Sequence, residues 1–329
     1  MRKDRTSMMF QEALHQVIMK KLEEGIPENE VMKRLKNIDI SMLFMKHLDI
    51  IAESTFDYLK QSMFEAVQYW RAETIDFIAH QEKKWGRCFV ASEAMYVIAL
   101  EASQAYDEYL QENDIEGIDD KQFMFVVLRE LNARTCQIFL EVLYLMKLGF
   151  ADGAYARWRS MYEISIIAQF IYDNGEPVAE AFFDAVDTDD RYDWAKTAQC
   201  FSNTKKRHIS FSDIKKQCGV APEWQAQYDL ANQIVHASPQ GTFKRLANKK
   251  PLGVLPVGHS DYGITTPAEH SAITLTHVFT LFITLFPYGD GIRAARILVK
   301  WIDLIREYYF KARDEVFGDD DFEPVIRTV

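Results

Sequence analysis

The stretch from Ser41 to Lys84 constrains the fold of this chain most strongly, because it contains neither glycine nor proline. Its apolar residues recur at helical spacing throughout, which predicts one long helix or two abutting helices. The whole chain of 329 residues carries only 14 glycines and 9 prolines, and so few turn-forming residues argue against a strand-rich fold. We therefore predict an all-α protein, a bundle of long, mostly antiparallel helices.

Other segments extend this helical pattern. The run over residues 121–149 is apolar on most sides, which is typical of a central helix. Asp152, Ser210 and Thr266 each stand at the start of a helical pattern and are predicted N-caps. We divide the chain into three parts, which are a helical N-terminal arm (1–40), a helical core domain (41–317) and an acidic tail (318–329).

The charge balance limits the partners of the protein. The chain carries 49 acidic and 38 basic side chains, for a formal net charge of −11. A field of that sign does not attract phosphate backbones, so we expect no binding of DNA over a broad surface. A local basic pocket is compatible with this charge, because contacts within a Debye length of roughly 8–10 Å outweigh distant charges.

The sequence offers no motif for a metal, a cofactor or a membrane. Glycine-rich phosphate loops and the common hydrolase and metalloprotease motifs are absent. The longest apolar run, residues 275–287, is shorter than the roughly 20 residues that a membrane span needs, and the charged start is unlike a signal peptide. We expect a soluble cytoplasmic protein without metal or cofactor. Its cysteines are expected to be reduced thiols without metal-site spacing, namely Cys88, Cys136, Cys200 and Cys218.

One predicted helix, over residues 153–173, carries Arg157, Arg159 and Glu163 among apolar residues. Arg159 and Glu163 are four residues apart and therefore share a face. Two interpretations remain open. The pair is either an ion pair at the edge of a core helix or a charged pair held in a pocket, where burial makes charge costly.

A later helix carries Tyr228, Asn232 and His236 at four-residue spacing, again on one face. His236 either stabilises the end of its helix through the helix dipole or acts as a general acid or base that Asn232 orients. The following loop, residues 237–265, contains Lys244 and Arg245. These cations either close over an anionic ligand or lie in a solvated loop.

The segments "ARWRSMYEISIIAQFI" and "YDLANQIVHASPQG" resemble an uncharacterised bacterial helical family, domain of unknown function five-six-seven-seven. The resemblance covers roughly residues 40–300, and its specific part is these two segments. Proteins of this kind have an Arg…Glu helix followed by a Tyr…(Ser/Asn)…His-(Ala/Gly)-Ser element. The matching positions here are Arg159, Glu163, Tyr228, Asn232, His236 and Ser238.

The second segment also resembles, more distantly, the HEPN fold. That fold comprises small helical bundles, many of them metal-independent ribonucleases in toxin–antitoxin and antiviral systems. Asn232 and His236 match the polar residue and the histidine of the HEPN motif, whereas Ala231 stands where its arginine is expected. The likeness implies a HEPN-like core, and ribonuclease activity only if Arg159 supplies the guanidinium from the other helix.

Three functions follow as hypotheses. The first is a cytoplasmic protein of bacterial or phage-conflict context that binds an anionic ligand, either a nucleotide or an RNA phosphate. The second is a metal-independent endoribonuclease toxin, and the third is a non-catalytic scaffold with a protein partner or a homodimer. The predicted catalytic residues are Arg159, Glu163 and His236. The predicted ligand-binding residues are Arg157, Tyr228, Asn232, Ser238, Lys244 and Arg245.

Overall fold

The computed structural model describes residues 5–36, 40–113, 115–189, 191–219, 222–236, 239, 242 and 257–318. Over these residues the structure contains ten α-helices, four short 3₁₀ turns and no strand. The predicted all-α class is therefore confirmed, whereas the HEPN-like arrangement of the core stays a prediction. Among the described helices, none has an apolar stretch long enough to cross a bilayer.

The helices in chain order are α1 (Arg5–Glu23), α2 (Glu28–Lys36), α3 (Ile40–Glu112), α4 (Gln122–Lys147), α5 (Ala151–Asn174), α6 (Glu176–Asp184), α7 (Phe211–Gln217), α8 (Pro222–Val235), α9 (Thr265–Ile283) and α10 (Gly289–Phe317). The stretch without glycine or proline lies within α3, as one continuous helix.

The chain divides into two compact units, Met1–Glu73 and Thr74–Val329. In the first unit, Phe10 of α1 packs edge-on against Phe44 of α3, with ring centroids 5.0 Å apart. The predicted arm of residues 1–40 lies within this unit, and a boundary at residue 40 stays a prediction. The predicted tail, apart from Gly318, lies outside the described residues.

The second unit is built around α4, α5 and α9, which pack against one another. Helix α4 packs against α5, α6 and α9, and its buried residues lie along one half of its circumference. Glu130 and Gln137 are exposed on the other half, so α4 is central in its contacts but is not buried on most sides. Large aromatic rings fill the space between the helices, and Trp85, Trp158 and Tyr309 are fully enclosed. Close packing of this kind fixes the rotation of each helix about its axis.

Helix starts were predicted with mixed success. Ser210 is confirmed as the N-cap of α7, because its hydroxyl accepts from the Asp213 N–H and the Asp213 carboxylate accepts from the Ser210 N–H. Asp152 and Thr266 were wrong as N-caps, since both lie inside the first turn of their helices. The preceding residues, Ala151 and Thr265, are buried. Tertiary packing therefore makes each helix begin one residue before the predicted N-cap.

A buried hydrogen bond joins α5 to α8 and sets the position of the residues described below. The Tyr155 hydroxyl donates to Gln227 Oε1 at 2.7 Å, and both side chains are buried. Burial raises the pKa of Tyr155, so the hydroxyl remains a donor at neutral pH.

We predict that Tyr155→Phe lowers the free energy of unfolding by about 1–3 kcal/mol, because a buried amide oxygen loses its donor. Tyr144→Phe is the matched control, since Tyr144 is exposed on α4, and its effect should stay within about 0.5 kcal/mol. Urea unfolding of both variants measures the difference, and equal effects would contradict this role for the bond.

Candidate functional site

Three of the predicted site residues meet at the junction of α5 and α8. Arg159 Nη2 lies 2.8 Å from Glu163 Oε1, and the Tyr228 hydroxyl donates to the same oxygen at 2.8 Å. The Arg159 guanidinium carbon is 5.6 Å from the centroid of the Tyr228 ring. We call Arg159, Glu163 and Tyr228 the charged cluster. Their meeting was expected from two segments far apart in sequence, and the structure places them together.

The charged cluster is only partly open to solvent. The Glu163 side chain is 19% exposed and that of Arg159 is 28% exposed, so their ion pair is screened less than a surface pair. Burial, followed by the hydrogen bond to Glu163, raises the pKa of Tyr228, and Arg159 opposes this shift. Tyr228 is therefore a neutral donor at physiological pH. Arg159 Nε is buried and has no hydrogen-bond partner within the described part of the chain.

Two further cations face the charged cluster, and sequence reasoning missed both. Arg191 Nη2 lies 3.9 Å from Glu163 Oε2, and Lys215 Nζ is 4.8 Å from the centroid of the Tyr228 ring. Burial lowers the pKa of Lys215, against the nearby charge of Asp229. Three cations thus surround two carboxylates, which leaves an excess of positive charge in a strongly acidic protein.

The remaining predicted site residues lie elsewhere. His236 is exposed in the turn after α8, where its backbone N–H donates to the Asn232 carbonyl at 3.1 Å. Tyr228 is buried and His236 is exposed, so α8 leads out of the core along the face that they share. Among the described contacts, none joins the His236 ring to Arg159, and a catalytic role for His236 stays a prediction without a contact to support it.

Arg157 and the predicted loop residues also lie apart from the charged cluster. Arg157 forms an ion pair with Glu141 of α4, on another side of α5. Asn232 is partly buried on α8. Ser238, Lys244 and Arg245 lie outside the described residues. Their assignment to ligand binding stays a prediction.

A groove beside the charged cluster is lined by Tyr162 and Trp224, and we call it the aromatic groove. Its cavity measures about 220 Å³, and Gln169 and His277 place polar groups on its walls. The rings of Tyr162 and Trp224 are nearly parallel, 6.3 Å apart between centroids. Tyr162 also packs against Tyr228, at 4.8 Å between centroids, so this ring contacts both the aromatic groove and the charged cluster.

Two groups in the wall of the aromatic groove show what chemistry it favours. Burial raises the pKa of the Cys218 thiol to about 12, so this side chain is a neutral thiol and not a nucleophile at physiological pH. The Tyr162 hydroxyl is buried without a hydrogen-bond partner among the described residues. These features are typical of a binding groove with apolar walls and few polar groups.

A buried histidine lies behind the aromatic groove. The His270 ring is surrounded by Trp158 at 5.0 Å, Trp224 at 5.4 Å and Tyr155 at 5.9 Å between centroids. His270 Nδ1 lies 2.8 Å from the Thr266 carbonyl, which can only accept, so Nδ1 carries the proton. Burial lowers the pKa of His270, and the ring is therefore neutral at pH 7.

The described residues contain no cluster of three His, Cys, Asp or Glu side chains arranged to hold a metal ion. What the site offers is cationic and aromatic side chains, which are suited to binding and orienting an anionic, planar molecule.

We predict that Glu163→Gln lowers the free energy of unfolding by about 1.5–3 kcal/mol, because two charge-assisted hydrogen bonds lose their acceptor charge. Glu315→Gln is the control, since Glu315 and Lys311 form an exposed pair with the same i,i+4 spacing. That change should cost less than about 0.5 kcal/mol. Denaturant unfolding of the two variants measures both losses, and a loss at Glu163 no larger than at Glu315 would contradict this role for the charged cluster.

His270 should also make stability depend on pH. Its folded pKa lies below the ordinary value of about 6.5, so the unfolded chain binds the proton more strongly. The resulting stability is present above pH 6.5 and is lost as the pH falls, by at most about 1.4 kcal/mol per pH unit. His270→Gln keeps a donor for the Thr266 carbonyl and should reduce this slope in unfolding experiments between pH 7.5 and 5, while burial also lowers the pKa of His277 and leaves the remainder. An unchanged slope would show that His270 is not its source.

The comparison with known proteins concerns the part of the site that lies on α5. Residues 125–207 match the model of a family of unknown function, DUF5677. The matched part includes Arg159 and Glu163 and ends before Tyr228. Neither the search of curated proteins nor that of solved structures finds a match, and the HEPN likeness stays a prediction. The resemblance expected from the helix of Arg159 and Glu163 is confirmed: over residues 125–207 this chain is similar to the DUF5677 family.

Proposed function

We propose that the protein binds a small anionic ligand with a planar ring, of the nucleotide class, in the aromatic groove and the charged cluster. One observation carries this proposal. A local excess of positive charge lies next to a groove with aromatic walls, and a single ring, Tyr162, belongs to the groove and contacts the charged cluster. The leading hypothesis from the sequence is kept in this form, without His236.

The anionic end of the ligand is assigned to Arg159, Arg191 and Lys215. Arg191 is 76% exposed and only loosely held by Glu163, so it can turn toward a phosphate without losing a strong bond. Arg159 has a buried Nε without a described partner, and a guanidinium binds phosphate through two parallel N–H groups. Glu163 holds Arg159 in place while the site is empty.

The ring of the ligand is assigned to the aromatic groove. A base stacked on an aromatic side chain gains about 1–3 kcal/mol, and the partly exposed ring of Trp224 offers such a surface beside the largely buried ring of Tyr162. Gln169, whose amide nitrogen donates to Asp173 at 2.8 Å, and His277 line the groove and offer polar groups to the edge of a ring. The cavity of about 220 Å³ suits one ring system better than an extended chain of bases.

The endoribonuclease alternative receives less support. It needs a guanidinium and an imidazole at one phosphate, whereas His236 is exposed in the turn after α8 and none of the described contacts joins its ring to Arg159. At position 231, where the HEPN arginine is expected, Ala231 is fully buried. An arginine there would point into the packed face between α5 and α8. Ligand binding requires neither an imidazole nor an arginine at position 231 and is favoured for that reason.

We predict that AMP raises the melting temperature of the protein in a saturable way, and that adenosine and ribose 5-phosphate do so more weakly. Arg159→Gln should lower the affinity for AMP at least about tenfold, which equals 1.4 kcal/mol, and leave the affinity for adenosine unchanged. Trp224→Leu should lower the affinity for both ligands. Calorimetric titration of each variant gives these affinities.

Two control variants sharpen this experiment. Arg157→Gln removes a guanidinium that is two residues away but paired with α4, and His236→Ala removes the exposed imidazole. Both should bind AMP as the wild type does. The proposal fails if AMP, other nucleotides and short RNAs all leave the melting temperature unchanged. It also fails if Arg157→Gln lowers the affinity for AMP as much as Arg159→Gln does.

A further inference from the structure

The first unit contains an apolar stripe on α3 that its own residues leave exposed. The stripe consists of Phe56, Leu59, Met63, Val67 and Trp70, and Phe56, Met63 and Trp70 are each about two-thirds exposed. The buried residues of α3 begin only at Gln81. At 3.6 residues per turn these five side chains fall within one third of the helix circumference. Exposed apolar patches of this extent on soluble proteins usually mark an interface.

The spacing within the stripe is that of a coiled coil. Phe56, Met63 and Trp70 are seven residues apart and take the a positions of a heptad repeat. The d positions are Ala52, Leu59 and Ala66, which are exposed as well. Residues 52–70 therefore present a seam with bulky a residues and smaller d residues. Such a seam is completed by another helix with the same repeat.

The area of the stripe matches what one side of a dimer needs. Aromatic side chains present about 150–250 Å² when fully exposed, so this seam offers on the order of 600 Å² of apolar surface. A stable interface buries about 800 Å² per partner, about two-thirds of it apolar in homodimers. The seam alone supplies that apolar share.

The alternation of bulky and small residues indicates which helix fits the seam and whether the two helices run parallel or antiparallel. In a parallel pair Phe56 would meet Phe56 and Ala66 would meet Ala66, which alternates crowded and empty layers. In an antiparallel pair of identical helices centred near residue 61, Phe56 faces Ala66, Leu59 faces Met63 and Trp70 faces Ala52. The four outer layers then combine a large with a small side chain, and the two central layers pair leucine with methionine of similar size, so no layer is crowded or empty.

We propose that two copies of this chain associate through residues 52–70 of α3, as an antiparallel helix pair. Glu53 and Lys60 are the charged residues at the flanking e positions of the seam, and the stem of Lys60 covers apolar surface while its ammonium group reaches solvent. The occupant is a second copy because this segment itself provides the complementary small residues. The inference does not depend on the proposed ligand.

Sedimentation equilibrium of the full chain at micromolar concentration tests the association. The wild type should be a dimer, and Leu59→Glu/Trp70→Glu should dissociate at least about a hundredfold more readily, a change of 2.7 kcal/mol. Tyr58→Glu is the matched control, because Tyr58 is 68% exposed on the opposite face of α3, and it should remain dimeric. Circular dichroism checks that each variant stays helical. A monomeric wild type, or equal weakening by Tyr58→Glu, overturns the proposal.

Cysteine cross-linking tests the direction of the pair, in a background where the exposed Cys200 is replaced by serine. Phe56→Cys/Ala66→Cys should form a disulfide-linked dimer upon mild oxidation. Each single variant should remain unlinked, since an antiparallel pair keeps residue 56 away from its own copy. Efficient linkage of Phe56→Cys alone overturns the antiparallel arrangement, and linkage of none of the three overturns the interface.

Discussion

The burial of α5 is the constraint on which the rest of the structure depends. This helix packs against α4, α7, α8 and α9, so only a narrow strip of it reaches solvent. Charged residues are tolerated on such a helix only where they are paired, because an unpaired buried charge costs several kcal/mol. Arg157 is paired with Glu141, and Arg159 with Glu163. The position of the charged cluster is thus a consequence of how α5 is packed.

The same packing explains why a groove lies beside the charged cluster. Tyr155, Trp158 and Tyr162 follow one another along α5 and turn their rings toward α8 and α9. Hydrogen bonds from Tyr155 to Gln227 and from Trp158 to Thr274 fix two of these rings. Tyr162 has no such bond within the described residues, and it lines the aromatic groove. A ligand that forms a hydrogen bond with the Tyr162 hydroxyl would give this third ring a partner as well.

The sequence allowed the helices and half of the site to be predicted, for identifiable reasons. Four-residue spacing places Arg159 beside Glu163 and marks the face of α8 that holds Tyr228. It does not show where a helix leaves the core, and His236, predicted as a catalytic residue from the same spacing, is exposed in the turn after α8. Arg191 lies in an irregular segment between α6 and α7, where no periodicity relates a residue to its neighbours in space. The starts of α5 and α9 depend on burial, which local propensity does not report.

The binding of an anion by Arg159 is the central claim, and side-chain NMR of arginine tests it most directly. Arg157 and Arg159 lie two residues apart on α5, yet Arg157 pairs with Glu141 whereas Arg159 has a buried Nε without a described partner. Upon titration with AMP, the Nε–H resonance of Arg159 should move saturably and that of Arg157 should stay in place. A fixed Arg159 resonance at saturating AMP would contradict the account.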